Sequence, residues 1–152
     1  MVLPQSASGA LGDALLARRT DAPLVLIGFS YGADDVLRIA RRLSKAKRRV
    51  DLLITIDPVT PPRVPANVGA CVNYYQSNGA MDLFPWLRGV PLTADREAAA
   101  PTNFNLRKHR RDLLQPNTSH ATIASHAGLQ GEIVQRVVGV VAPAGTLSGS
   151  IP

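Results

Sequence analysis

The sequence is poor in cysteine, in aromatic residues and in long apolar runs, and each shortage closes off a class of protein. Its one cysteine, Cys71, excludes an internal disulfide framework and any zinc site built from several cysteines. Cys71 lies in the apolar run 68–72 and reads as a small buried side chain. Aromatic residues make up 5% of the chain, and none interleaves with either basic cluster, Lys45-Ala46-Lys47-Arg48-Arg49 or Arg107-Lys108-His109-Arg110-Arg111. Those clusters therefore lack a stacking platform for bases, and no nucleic-acid partner is expected. No run approaches the roughly 18 apolar residues of a membrane span. The opening Met1-Val2-Leu3-Pro4-Gln5 has neither the basic nor the apolar region of a secretory leader, so a cytoplasmic location is the expectation. Acidic residues are also scarce, 11 against 17 Lys and Arg, giving a net charge of +6. The plainest reading of that excess is a solvated basic face.

What is present is a globular composition: 152 residues, 45% hydrophobic and 18% charged, enough for one domain with its own core. Residues 5–19 carry Ala10, Leu11, Ala14, Leu15 and Arg18 at helical spacing, and Pro23 then interrupts the chain. The continuous apolar run 24–27 reads as a strand buried on both faces. From Tyr31 to Leu43 the period turns helical. Val36, Ile39, Ala40 and Leu43 share one face, Asp34 and Asp35 sit in the first turn, and Asp34 has i,i+4 spacing to Arg38. Residues 50–56 read as a second buried strand, so 24–56 forms a βαβ unit with parallel strands. Residues 70–75 suggest a third strand, and 79–101 a surface excursion with one or two short helices. Leu129, Ile133, Val137 and Val141 form the apolar stripe of a last helix. The tail 143–152 is rich in Gly, Ser and Pro and is expected to fray.

Between the first strand and its helix lies Gly28-Phe29-Ser30-Tyr31-Gly32. A Gly-x-Ser-x-Gly match is modest alone, but here it follows an apolar strand and opens a helix, as a nucleophile elbow requires. Such a turn lifts the Ser30 hydroxyl above the sheet. Gly28 and Gly32 stand where side chains are expected to collide across it, and the Tyr31 backbone N–H faces the position of an oxyanion. The motif has no lysine, which disfavours a phosphate-binding loop.

A serine hydroxyl needs a base. Of the three histidines, His109 lies within a basic run, His120 in a polar loop before the last helix, and His126 near the start of that helix. His120 is favoured, with His126 the alternative. The orienting acid is expected at Asp57, where the 50–56 strand ends, because parallel strands open on one rim. Asp82 and Asp95 are the rival acids.

The stretches Val25-Leu26-Ile27-Gly28-Phe29-Ser30-Tyr31-Gly32, Ile54-Thr55-Ile56-Asp57-Pro58 and Ser119-His120-Ala121-Thr122-Ile123 together resemble the elbow, acid-bearing strand end and histidine loop of the α/β-hydrolase superfamily, in particular its lipase, esterase and thioesterase-like members. The resemblance covers roughly residues 24–141. It implies an α/β fold, a parallel sheet with flanking helices, and a serine hydrolase acting on carboxylic esters or thioesters. Ser30, Asp57 and His120 would be catalytic, the Tyr31 N–H an oxyanion donor, and no cofactor or metal would be needed. Phe29 stands where many members have histidine. Members place several strands before the elbow, whereas here 23 residues precede Leu24. The expectation is therefore a partial domain over 1–142, N-terminally incomplete, with an exposed sheet edge that invites pairing with another copy. The rival expectation is a truncated, catalytically inactive protein of the same shape that acts by binding.

Overall fold

The computed structural model describes residues 8–18, 21–77 and 89–142. Its frame is four parallel strands in sequential order, β1 (Val25–Phe29), β2 (Val50–Ile56), β3 (Val68–Tyr75) and β4 (Thr102–Asn105). The helices are α1 (Ser8–Ala17), α2 (Tyr31–Lys45), the short α3 (Leu106–His109) and α4 (Ala127–Val141). The parallel α/β class and the βαβ unit read from the sequence are thus observed.

The apolar strands have side chains for two faces, and two cores result. On one face Leu26, Val50, Leu53 and Cys71 meet Val36, Leu37, Ala40 and Leu43 of α2, with Leu11 and Leu15 of α1 behind them. On the other, Leu52, Ile54, Ile56, Val72 and Tyr74 meet Leu106, Leu113, Ile123, Leu129 and Ile133. Each fully buried aliphatic side chain contributes roughly 1.5–3 kcal/mol. Within the first face runs a polar row at matched register, Thr55, Asn73 and Asn103. Thr55 Oγ1 donates to Asn73 Oδ1 at 2.9 Å, and Asn73 Nδ2 donates to Asn103 Oδ1 at 2.8 Å and to the Val90 carbonyl at 3.0 Å. Asn103 also exchanges hydrogen bonds with both backbone groups of Leu92. Satisfied buried amides of this kind fix one register, and here they pin segment 89–92 over the ends of β2 and β3.

Several expectations are corrected. β1 is not buried on both faces: it is an outer strand, and Ile27 is 46% exposed because no described element covers it. Asp34 does not pair with Arg38, which bonds Asp35 at 3.0 Å instead. Asp34 is fully buried and accepts the Val59 N–H at 3.1 Å and the Thr60 N–H at 2.8 Å. The stripe of α4 passes through Val137 and Val140 rather than Val141, which is exposed. Strand β4 has no counterpart in the sequence reading, since its four residues, Thr-Asn-Phe-Asn, offer almost no apolar signal. Of the surface excursion, 78–88 lies outside the described residues, as does the tail from 143, and 97–99 forms a single 3-10 turn. The solvated-face reading holds for Lys45, Lys47, Lys108 and His109, which are exposed. It fails for Arg48, which donates to the Leu15 and Arg18 carbonyls at the end of α1, and for Arg110, which bonds Asp112 and Glu132. No helix among the described residues is long and apolar enough to cross a membrane.

Candidate active site

The C-terminal ends of β1 and β2 lie side by side, Phe29 in register with Ile56, so the residues that follow share one rim. The first is Ser30. Its N–H donates to the Ile56 carbonyl at 2.9 Å, and its carbonyl accepts the Ala33 N–H at 2.9 Å as α2 begins. To leave the strand and enter the helix without an intervening loop, Ser30 adopts φ 55° and ψ −128°. That conformation costs a non-glycine residue of order 1–3 kcal/mol. The turn is tight enough that a Cβ on Gly28 would stand 2.3 Å from the Gly32 carbonyl oxygen. Gly32 itself is not constrained in that way: a Cβ there meets nothing within 4 Å, which corrects the symmetrical role expected of the two glycines.

Asp57 follows Ile56 and repeats the device, with φ 44° and its N–H donating to the Tyr74 carbonyl at 2.8 Å. Its side chain is fully buried. Oδ1 accepts the Gln76 backbone N–H at 2.8 Å, and Oδ2 accepts Gln76 Nε2 at 3.0 Å. Gly89 closes the third side, because a Cβ there would come within 2.2 Å of Oδ1.

His120 arrives from the far side of the domain on a loop held at both ends. Thr118 is its anchor: Oγ1 donates to the Gln115 carbonyl at 2.7 Å and accepts the Gln115 N–H at 2.9 Å, while Arg107 donates to the Thr118 carbonyl at 2.9 Å. His126 Nδ1 lies 3.2 Å from Thr118 Oγ1. With the hydroxyl proton already committed to Gln115, that contact leaves Nδ1–H as the donor. Ile123, fully buried in the core, fixes the other end.

The result is one hydrogen-bonded chain. Ser30 Oγ lies 2.9 Å from His120 Nε2, and His120 Nδ1 lies 3.3 Å from Asp57 Oδ2. The Phe29 ring packs on the imidazole, centroids 5.2 Å apart. The structure therefore brings Ser30, Asp57 and His120 together and leaves the rivals elsewhere. His126 is buried under the loop it supports, His109 is exposed on α3, and Asp95 pairs with Arg41 and Arg63. Asp82 lies outside the described residues. Cys71 is no competing nucleophile, since burial pushes its thiol up to about 12.

Sequence reasoning missed Gln76, Gly89 and Phe29. Phe29 carried a signal, being an apolar ring beside the serine. Gln76 and Gly89 carried none, because both act only through a neighbour brought close by the sheet. A scan against protein-family models and a search of curated proteins both return no match for this chain, so the reading of the site rests on its own geometry.

Proposed function

We propose that the protein is a serine hydrolase of α/β-hydrolase type that cleaves carboxylic esters or thioesters through an acyl-enzyme on Ser30. The observation that carries this reading is the unbroken chain from Ser30 Oγ through the two ring nitrogens of His120 to Asp57, assembled from residues 27 and 63 positions apart. With Nδ1–H turned toward Asp57, Nε2 is left as the base facing the hydroxyl.

In the proposed reaction Ser30 Oγ attacks the acyl carbon as its proton passes to His120 Nε2. The tetrahedral intermediate collapses when that proton goes to the departing alcohol or thiol. Water then attacks the acyl-enzyme, giving its proton to Nε2, and the acid leaves as Ser30 Oγ is reprotonated. Asp57 supports the imidazolium formed in each half. Tyr31 opens α2, so its N–H has no partner within the helix and is the donor available to the oxyanion. No step calls on a cofactor or metal.

The test is covalent. Incubation with a fluorophosphonate is expected to add one phosphonyl group at Ser30, located by peptide mass spectrometry, and Ser30→Ala abolishes it. His120→Ala is expected to slow labelling by about 10³-fold or more. His126→Ala lowers stability by about 1–2 kcal/mol and leaves labelling within tenfold. Absence of any adduct in a sample shown by circular dichroism to be folded sinks the enzyme reading in favour of the inactive, binding-only one.

A further inference from the structure

Asp57 has no exposure to water, and an ionised carboxylate in that position needs donors on both oxygens. Among the described residues Gln76 supplies two of the three contacts made to it, the backbone N–H on Oδ1 and the side-chain amide on Oδ2. The third is His120 Nδ1, at 3.3 Å the longest of the set. A carboxylate only accepts, so the Gln76 amide must present its nitrogen. Both donors come from one residue, so together they fix the plane of the carboxyl group as well as its position. Gln76 is itself fully buried, and its backbone carbonyl accepts the Gly89 N–H at 3.4 Å.

The chemistry of the residue fits the place. A lysine or arginine would neutralise the charge that His120 needs opposite it, and a glutamate would repel Asp57. An amide donates without adding charge. Among the described residues only Gln76 and His120 contact Oδ2, so the two share that oxygen.

We propose that Gln76 is the positioning residue of the site, holding the Asp57 carboxylate in the one orientation that keeps His120 Nδ1–H turned inward and Nε2 facing Ser30. The proposal rests on the serine hydrolase reading for its effect on rate, but its structural core stands apart from that reading. Gln76 acts through Asp57 and His120 and touches no substrate.

The experiment compares wild type with Gln76→Met, which keeps the bulk and removes the donor, and Gln76→Glu, which keeps the shape and sets a second carboxyl against the first. The backbone N–H survives in both. Fluorophosphonate labelling of Gln76→Met is expected to slow by about tenfold to a hundredfold, with the apparent affinity for the reagent unchanged, and Gln76→Glu is expected to slow further. Nitrogen-15 spectra of histidine-labelled protein are expected to show His120 as the Nδ1–H tautomer in wild type and as a mixture in Gln76→Met. Labelling at the wild-type rate together with an unchanged tautomer overturns the proposal. If wild type takes no label, the hydrolase reading fails on its own and the tautomer shift alone decides the role of Gln76. If neither variant folds, the wild-type Gln76 side-chain amide decides: slow exchange of its protons with solvent supports the contact, and exchange at the rate of a free amide overturns it.

Discussion

The ends of β1 and β2 use the same backbone device for opposite purposes. Each strand ends in a non-glycine residue at positive φ, Ser30 and Asp57, and each of these donates its N–H to the neighbouring strand. Beyond that they diverge. Ser30 is partly exposed, and among the described residues its side chain has one partner, His120. Asp57 is fully buried, and its carboxylate is held by Gln76, His120 and the close approach of Gly89. Under the proposed reaction the nucleophile must meet its substrate, which fits a chain narrowed by glycine and a Ser30 left partly exposed. Under the same proposal the orienting acid must be kept from water, which would compete for its oxygens, and this fits the enclosure of Asp57 by groups from three separate segments.

The largest effect expected from breaking this pairing is at the acid. Asp57→Asn keeps the shape and loses the charge that supports an imidazolium. Labelling at Ser30 is expected to fall by about 10³–10⁴-fold, measured on protein whose melting transition remains cooperative. A fall of less than tenfold would detach Asp57 from the chain.

Next comes a matched pair of glycine substitutions. Gly28→Ala sets a Cβ against the backbone of Gly32 and Ala33, which cannot yield without parting β1 from α2. It is expected to lower stability by about 2–4 kcal/mol in a denaturant titration. Gly89→Ala sets its Cβ against Asp57 Oδ1, the Tyr75 Cβ and the Asp57 Cα, in a segment that is not inside the sheet. It is expected to cost about 1–3 kcal/mol while slowing labelling at least tenfold, because the 89–92 segment must shift and the carboxylate is displaced with it. If Gly28→Ala proves the milder of the two in stability, the tightness assigned to the elbow is wrong.

The smallest effect is expected at Gly32→Ala, where the added methyl meets open space inside the first turn of α2. Stability should rise by up to about 0.5–1 kcal/mol, with labelling unchanged. Destabilisation there would restore the symmetry between the two glycines that the structure removes.

Legibility differed between the two strand ends for a physical reason. At β1 the strand, the turn and the helix are consecutive, so apolar run, glycine pair and serine appear as one local string. Asp57 was legible more weakly, as the residue after an apolar run of strand length. His120 was distinguishable from His126 only by its place in a polar loop, and Thr118, which ties the two together, carried no mark of that duty. Strand β4 was missed because its Asn103 earns its place by bonding Asn73 and Leu92 rather than by being apolar. Val141 and the second face of Ile27 were assigned to the core because a periodic pattern records which residues are apolar and not whether another element arrives to cover them.

By itself, then, the sequence determined a parallel α/β unit, an elbow carrying Ser30 and a short roster of acids and bases, because hydrophobic period and turn chemistry are local properties of the chain. Only the tertiary structure decided which members of that roster meet, that Gly28 and not Gly32 is sterically required, and that Gln76 and Gly89 enclose Asp57. Those contacts join residues up to 90 positions apart, and they exist only once the sheet has set its register.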